Sequence, residues 1–396
     1  MLTSIAYILL FGLFFGTVFK KMKLPSLLGM ILTGILLGPH VLNWIDLSIL
    51  NISADLRQIA LVIILTRAGL TLDLEDLKKV GRPAFFMCFV PALLEITGAI
   101  LLGTLLFHIS VLDAALIGSV IAAVSPAVVV PRMINLIEKG YGKKHAIPQL
   151  ILAGASVDDV IVIVIFSSLC TLSSAQSFSW ISFIQIPVSI VLGLLTGVLC
   201  GCVLIQFFKK FHMRDSVKIL ILLSFSFLLI ELENQLKGIL PLSGLLGIMS
   251  LSLTIHQRYS ILSQRLSVKY NKLWIGAEIL LFVLVGCAVN IQYALSTGAL
   301  GILFILGALV FRIIGVMISV THTSLTFKER LFCMIAYTPK ATVQAAIGSI
   351  PLTMGLPVGE LCLTVAVLSI LISAPLGAFG IDVSYAKLLT DDNETA

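Results

Sequence analysis

The chain has 396 residues, of which 59% are hydrophobic and 12% are charged, and its mean hydropathy is +1.11. This composition excludes a soluble protein and predicts an all-α polytopic membrane protein, because apolar stretches of about 20 residues alternate with short basic loops. The formal net charge of +6 does not indicate nucleic-acid binding, since the positive residues follow the loops of a membrane protein.

Thirteen apolar stretches along the chain have the length and composition of membrane-spanning helices. The predicted spans cover residues 2–19, 25–43, 56–72, 83–107, 112–136, 147–171, 180–208, 217–235, 238–255, 273–290, 294–320, 329–350 and 357–380. The seven cysteines all fall within these spans. An odd number of cysteines in apolar segments predicts neither a disulfide framework nor a metal centre, and we expect no cofactor.

Lysine and arginine residues concentrate in alternate connections between the spans. Of the 26 basic residues, 21 lie in the odd-numbered connections or in the C-terminal tail. The positive-inside rule then predicts an N-terminus outside and a C-terminus in the cytoplasm. An odd number of spans is required for this arrangement, which agrees with the count of thirteen.

The fourth to sixth spans carry the first group of intramembrane features. Glu95 lies in the middle of the fourth span, and residues 125–131 of the fifth span read SPAVVVP. Pro126 removes a backbone donor and clashes with the preceding turn, so we expect a helix break there. Such a break at membrane depth is tolerated only where it is buried or lines a cavity.

Two adjacent aspartates, Asp158 and Asp159, stand in the sixth span among apolar and small residues. Each carboxylate at bilayer depth costs roughly 2.5–3.5 kcal/mol on insertion scales, which favours a functional role as an ion or proton site. Neighbouring helix residues point about 100° apart. The two carboxylates are therefore expected to face different partners.

The eleventh and twelfth spans carry the second group. Arg312 lies deep in the eleventh span, and residues 337–343 of the twelfth read YTPKATV, with Thr338 and Pro339 at the expected break and Lys340 directly after it. The two hydroxyl–proline breaks are seven spans apart, so the broken segments cross the membrane in opposite directions. This arrangement indicates an inverted-topology repeat with the binding site at the broken helices.

The intramembrane charges are expected to pair across the two halves, because an unpaired buried charge is strongly destabilising. The simplest pairing joins Asp158 with Lys340 and Glu95 with Arg312, and it leaves Asp159 free. The sequence does not decide which aspartate takes the lysine. Three acids and two bases leave a charge of −1, so one monovalent cation or one proton would neutralise the site, and the two would compete for it.

Hard oxygen ligands in this region suit Na⁺ or Li⁺ better than a transition metal. The candidate ligands are the Asp158 and Asp159 carboxylates, the Ser125 and Ser156 hydroxyls, and carbonyl oxygens freed at Pro126.

Three motifs carry a resemblance to a known family. They are residues 153–159 (AGASVDD), residues 125–131 (SPAVVVP) and residues 339–346 (PKATVQAA), together with Glu95 and with Arg312 in residues 311–315 (FRIIG). With these motifs the chain resembles the sodium/proton antiporters of the monovalent cation:proton antiporter superfamily, in the paired-aspartate branch. The likeness is greatest to NHA-type sodium/lithium–proton exchangers, and it covers essentially the whole chain.

The resemblance implies a core domain of six helices with two crossed broken helices, which moves like an elevator against a dimerisation domain in a homodimer. It implies that Asp159 carries the cation and the proton, that Asp158 pairs with Lys340, and that Glu95 with Arg312 forms a second ion pair associated with electroneutral exchange. The chain departs from many relatives at Ser125, where they have an acid or a threonine beside the proline, which leaves cation selectivity and stoichiometry open.

The same comparison divides the chain into six parts. Residues 1–82 and 209–290 would form the dimerisation scaffold, residues 83–171 and 291–380 the two core halves, residues 172–208 a linker helix, and residues 381–396 a cytoplasmic tail. Short basic loops without extensions fit a bacterial inner membrane.

Three other functions compete with Na⁺/H⁺ exchange. A K⁺/H⁺ antiporter or a Na⁺-coupled carrier of organic anions would use a related fold, although a site of charge −1 argues against an anion as the sole substrate. An intramembrane aspartyl protease needs two carboxylates that share a proton, and adjacent helix positions do not provide this.

Overall fold

A computed structural model describes residues 1–71, 81–174, 180–236, 240 and 242–390 of the chain. The regular elements within these ranges are helices, which confirms the all-α class. The first helices of the described chain are α1 (Leu2–Lys21), α2 (Ser26–Leu37), α3 (Leu47–Asn51), α4 (Ser53–Thr71), α5 (Arg82–Met87), α6 (Val90–Leu106), α7 (Val111–Ile121), α8 (Pro126–Lys139) and α9 (Ile147–Ser174).

The second half of the chain continues in the same way. Its helices are α10 (Trp180–Lys210), α11 (Asp215–Leu236), α12 (Gly244–Arg258), α13 (Ser260–Cys287), α14 (Ile291–Ser319), α15 (Phe327–Ala336), α16 (Thr342–Ile347), α17 (Ile350–Thr353) and α18 (Gly359–Leu388).

Each predicted span coincides with one helix or with one interrupted helix. In the part of the chain that the structure describes, eight segments are long and apolar enough to cross a membrane by length and composition. The others are shorter or less apolar, α2 among them. The protein is therefore an integral membrane protein, whereas the count of thirteen crossings stays a prediction.

The chain forms two compact units. The first comprises Met1–Ala54, Asp73–Val162 and Leu281–Ala396, and the second comprises Asp55–Leu72 and Ile163–Leu280. The first unit contains most of both predicted core halves, and α1, α2 and α3 also belong to it. The division into core and dimerisation roles stays a prediction.

Two groups of helices, each with a broken pair in the middle, repeat one pattern. Helix α6, the broken pair α7–α8 and helix α9 are followed later by α14, the broken segment α15–α16 and α18. The first break occupies residues 122–125 and the second residues 337–341. Both lie where the hydroxyl–proline motifs predict them, with Pro126 as the first residue of α8 and Pro339 inside the second break.

Close packing of α14 on α6 fixes the position of the buried charges. A Cβ atom on Gly315 would lie 2.6 Å from the Cα of Pro91, and one on Gly98 would lie 2.4 Å from the ring of Phe311. Only small residues permit such an approach between membrane helices. This contact brings Glu95 on α6 against Arg312 on α14.

Candidate functional site

The first break leaves three consecutive carbonyl oxygens, at residues 121–123, without helical partners. All three accept hydrogen bonds from side chains of the second half of the first unit. The donors, in chain order of the carbonyls, are Lys340, Arg312 and Gln344. The C-terminal end of a helix carries a partial negative charge, so two cations beside the end of α7 are favourably placed.

This arrangement bears on one expectation from the sequence. The role of carbonyl oxygens freed at Pro126 as cation ligands stays a prediction. Those of residues 121–123 accept hydrogen bonds from donors in α14, the second break and α16. The reason is that an intramembrane break must satisfy its own polar groups within the protein, where water is absent.

The two breaks cross and are hydrogen-bonded to each other. The backbone N–H of Ser125 donates to the carbonyl of Pro339 at 2.8 Å. The N–H of Lys340, on the other side of the same peptide, donates to the hydroxyl of Ser373 on α18 at 3.0 Å. Thr338 turns its hydroxyl back to the Ile335 carbonyl at 2.8 Å. The peptide between Pro339 and Lys340 thus bonds the second break to both the first break and α18.

Asp158 is fully buried, and one of its carboxylate oxygens is held from two directions. Its Oδ2 accepts from the backbone N–H of Val124 at 2.8 Å and from Nη2 of Arg312 at 2.8 Å. The first donor belongs to the first break and the second to α14. Asp158 therefore ties the aspartate helix to both halves of the repeat.

Arg312 is the central group of the cluster. Its Nη1 contacts Glu95 Oε2 at 2.9 Å and the Ala122 carbonyl, and its Nε donates to the Tyr337 carbonyl at 2.7 Å. With the bond to Asp158, one guanidinium serves two carboxylates and two carbonyls. A planar fork of five donors can do this, whereas an ammonium group cannot present donors in such fixed directions.

The pairing differs from the expected one. Lys340 lies 2.7 Å from Glu95 Oε1 and 2.8 Å from Glu95 Oε2, and it does not pair with Asp158, which takes Arg312 instead. The expected contact between Glu95 and Arg312 is present. All four side chains have no exposed surface. The difference arises because sequence identifies the charges but not the direction in which each side chain leaves its helix.

Asp159, by contrast, is half-buried and takes no part in these ion pairs within the described chain. Its Oδ1 is shielded from solvent and has no hydrogen-bond partner among the described residues. The adjacent positions thus diverge as the helix geometry predicts. One aspartate is fixed by its neighbours, and the other keeps a free oxygen.

Further oxygens around the two breaks are buried without a partner in the described part of the chain. They belong to Ser125 (Oγ), Asp158 (Oδ1), Tyr337 (Oη), Thr342 (Oγ1) and Gln344 (Oε1). An unsatisfied buried oxygen costs about 1–3 kcal/mol, and hard oxygens are the ligands that Na⁺ or Li⁺ would need. The side chain of Ser156, the remaining predicted ligand, lies outside the described residues.

A close contact between α9 and the second break brings Tyr337 to the aspartates. Its hydroxyl packs against Gly154, one turn before Asp158, so that a Cβ on this glycine would lie 2.0 Å from Tyr337 Oη. The ring of Tyr337 also lies 5.4 Å from the guanidinium carbon of Arg312, in a cation–π contact. The glycine is required here because helix α9 and the second break approach within atomic contact.

Sequence reasoning did not single out Tyr337, Gln344 or Ser373. A buried glutamine in an apolar segment was a usable signal for Gln344, which lies four residues after Lys340 in the second motif. Ser373 had no signal, because serine in a membrane helix ordinarily bonds to its own backbone, as Ser373 also does with Ser369.

Comparisons with known proteins agree with this geometry. The model of a family described as "Sodium/hydrogen exchanger, transmembrane" matches residues 6–383. Sodium/hydrogen exchanger 9B2 of Homo sapiens is 32% identical over 387 residues, which are 92% of this chain and 70% of that protein. Sodium/hydrogen exchanger 9B1 of Homo sapiens is 32% identical over 389 residues, covering 93% and 73% of the two chains.

Among solved structures, the sodium proton antiporter MjNhaP1 from Methanocaldococcus jannaschii at pH 8 superimposes with a TM-score of 0.83 at 20% identity. The match covers 98% of this chain and 99% of that chain. At this level of identity the likeness concerns the fold, and it confirms the antiporter architecture.

The similar human proteins contradict one inference from the sequence. Short loops without extensions predict a bacterial inner membrane, yet relatives with 32% identity over most of the chain are human. Loop length reflects how a chain threads a bilayer and carries no information about the organism. The supported statement is that the protein is an integral membrane protein.

Proposed function

On the premise that this chain belongs to the sodium/hydrogen exchanger family and exchanges Na⁺ for H⁺, we propose that Asp159 is the group that binds the two ions in turn. The family is one of transporters and not of enzymes, and membership confirms the resemblance to the monovalent cation:proton antiporters. The competing protease reading has no support from these relatives.

The observation that carries the proposal is the contrast between two neighbouring carboxylates. Asp158 is fixed by Val124 and Arg312, whereas Asp159 has a buried oxygen with no partner among the described residues. With Glu95, Arg312 and Lys340, the cluster has three acids and two bases. One Na⁺ or one proton on Asp159 neutralises it, and the two cannot bind together without leaving an excess positive charge in a low-dielectric site.

We propose that Ser125 and Asp158 supply further oxygens to the cation, with Ser156 as a third contributor from the helix that bears the aspartates. Ser125 supports this because its hydroxyl is fully buried and unpartnered in the described chain. Oxygen donors of this kind accept Na⁺ and Li⁺, so we propose that Li⁺ is also transported.

The decisive experiment uses proteoliposomes that contain the purified protein and an imposed proton gradient. Addition of Na⁺ or Li⁺ should collapse the gradient in the wild type, and Asp159→Asn should abolish the effect. Asp113→Asn is the matched control, because Asp113 lies at the exposed start of α7 and accepts a bond from Ser110 that an amide can also accept. Full exchange by Asp159→Asn would remove the central claim, and a panel with K⁺ would decide the cation.

The transport cycle is proposed to be elevator-type alternating access in a homodimer, with the N-terminus outside and the C-terminus in the cytoplasm. The distribution of basic residues supports the orientation. A reporter fused to the C-terminus should be active only as a cytoplasmic reporter, and native mass spectrometry in detergent should give twice the mass of one chain. A monomer as the single species would contradict the dimer.

A further inference from the structure

We propose that Gln344, which belongs to the second half of the repeat, is a positioning residue for Asp158 and acts on it through one peptide of the first break. This inference deepens the proposed function and rests on it. Gln344 lies in α16 with no exposed surface. Its side chain reaches across to the end of α7, where its Nε2 donates to the carbonyl of Ala123 at 2.8 Å and lies 3.5 Å from that of Ile121.

The carbonyl that Gln344 contacts and the N–H that Asp158 contacts belong to the same peptide unit. Ala123 supplies the C=O and Val124 supplies the N–H, which donates to Asp158 Oδ2 at 2.8 Å. The chain has no cis peptide in the described residues, so the two groups point in opposite directions from a planar unit. The peptide is therefore hydrogen-bonded to Gln344 through its carbonyl and to Asp158 through its N–H.

Outside a helix this peptide would be free to rotate, because neither the carbonyl of Ala123 nor the N–H of Val124 has a helical hydrogen bond to fix it. The Gln344 bond removes that freedom and holds the N–H of Val124 toward the carboxylate. Hydrogen bonds in series also polarise one another in a low-dielectric interior, so the donor to Asp158 is strengthened by the acceptor bond behind it.

The orientation of the amide follows from its partners. Two carbonyl oxygens face the amide group, and a carbonyl can only accept, so the NH₂ must lie toward them and Oε1 away from them. A glutamate would place an oxygen with no proton against the same carbonyls when ionised. Glutamine is thus the side chain of this length that keeps a donor here at every pH.

Other charged and titratable groups also act on Asp158, and they are unchanged by a substitution at Gln344. Arg312 from α14 donates to it directly, and Lys340 and Glu95 lie behind Arg312. Tyr337 and Cys88 are within electrostatic range of Asp158, and Asp159 is its neighbour. The contribution of Gln344 is therefore separable from theirs by a single substitution.

The test measures the pH profile of Na⁺-dependent exchange for Gln344→Met in proteoliposomes. Methionine has about the same volume and removes the donor. With a weaker donor to Asp158, the charged carboxylate is less favoured, so the acid limb of the profile should move to higher pH by about 0.5–1 unit. The Na⁺ KM on the alkaline plateau should stay within about twofold of the wild type.

Gln149→Met is the matched control, because it makes the same substitution at the start of the aspartate helix, nine residues from Asp158. Its profile should coincide with that of the wild type. An acid limb of Gln344→Met that also coincides with the wild type would overturn the inference. Equal shifts in both variants would overturn it as well, because they would reflect a general effect on packing.

A second variant covers the case in which Gln344→Met does not fold. Gln344→Glu keeps the shape and donates to Ala123 only when protonated. When ionised, it places a negative oxygen against the carbonyl of Ala123 and repels it. This variant should therefore lose exchange on the alkaline side, which methionine leaves intact. A profile unchanged from the wild type would contradict the inference. Absence of Na⁺-dependent exchange in the wild type, or full exchange by Asp159→Asn, would instead reject the proposed function.

Discussion

At the scale of single residues, Arg312 explains how two acids and two bases coexist without exposed surface. Its guanidinium bonds to Asp158, Glu95 and the carbonyls of Ala122 and Tyr337. Removal of one member of a buried ion pair leaves the other charge uncompensated, which is more damaging than the loss of the pair as a whole. The arginine is thus a structural requirement of the site as well as an electrostatic one.

Arg312→Met should therefore reduce the free energy of unfolding by about 3–5 kcal/mol. The free energy of unfolding of Arg312→Lys should lie between those of the wild type and Arg312→Met, because lysine keeps the charge without the fork of donors. Thermal unfolding in detergent measures both. The control is Arg82→Met, since Arg82 is exposed at the start of α5. If Arg312→Met and Arg312→Lys both melted at the temperature of the wild type, as the control should, the central role of Arg312 would be wrong.

Gly154 gives a second residue-scale prediction. A Cβ there would lie 2.0 Å from Tyr337 Oη and 3.1 Å from Met87 Cβ. Gly154→Ala should destabilise the protein by about 1–3 kcal/mol through overpacking. Adding Tyr337→Phe removes the clashing oxygen, so the double variant should recover part of the loss in a double-mutant cycle. Strict additivity of the two changes would refute the contact.

Much of the candidate site was predictable from residue types alone. Charged side chains in apolar spans are expensive enough that Glu95, Asp158, Arg312 and Lys340 had to meet, and they do. Their pairing was not predictable, because the choice between Arg312 and Lys340 depends on side-chain directions a few ångströms apart. Gln344 was missed because a neutral amide adds no electrostatic signal.

At the scale of elements, the two helix breaks were predicted from hydroxyl–proline motifs and found at those places. The extent of the first was not, since α7 ends at Ile121, several residues before Pro126. The interruption between α5 and α6 near Phe89 and the short helix α3 also lacked a prediction. A proline indicates where the next helix begins. The point at which the preceding helix ends depends on tertiary partners for the carbonyl groups of that helix.

The start of the second broken helix carries a pH-dependent element. Glu329 closes a capping box with Thr326 and lies 2.8 Å from Nδ1 of His145, in the connection that leads to the aspartate helix. Burial acts to raise the pKa of Glu329, but the hydrogen bonds from His145 and Thr326 outweigh it and hold the pKa below its ordinary value of 4.5. This contact lies outside the eight candidate spans.

A carboxyl group whose pKa is lowered by folding stabilises the fold at pH values above its ordinary pKa. This contribution is lost as the pH falls through the lowered pKa of the folded state. Glu329→Gln has nothing to titrate, so it should melt at a lower temperature than the wild type at neutral pH. The difference should shrink as the pH falls below about 4.5. A difference that stays constant with pH would show that His145 and Thr326 do not depend on the charge.

At the scale of the whole molecule, the position of Lys340 bears on stoichiometry. Its ammonium group contacts both oxygens of Glu95 and the carbonyl of Ile121. A proton lost from this group would leave Glu95 with fewer donors in a fully buried place. We therefore expect Lys340 to stay charged through the cycle, which makes the exchange one Na⁺ for one H⁺.

Initial rates in proteoliposomes at clamped membrane potentials test this prediction. One-for-one exchange moves no net charge, so the rate of Na⁺-driven proton flux should not change between zero and inside-negative potential. A clear acceleration by inside-negative potential would show that more than one proton accompanies each Na⁺. Asp113→Asn serves again as the reference for intact protein in the same vesicles.

Helix α18 has a consequence for movement. Its Ser373 takes the N–H of Lys340 in one broken segment, and its Asp382 holds Arg132 of the other through two bonds of 3.0 Å. A single helix thus contacts both broken helical segments, at two separate points along its length. Because both broken segments are hydrogen-bonded to α18, we expect a movement that carries an ion to displace the two breaks together with this helix.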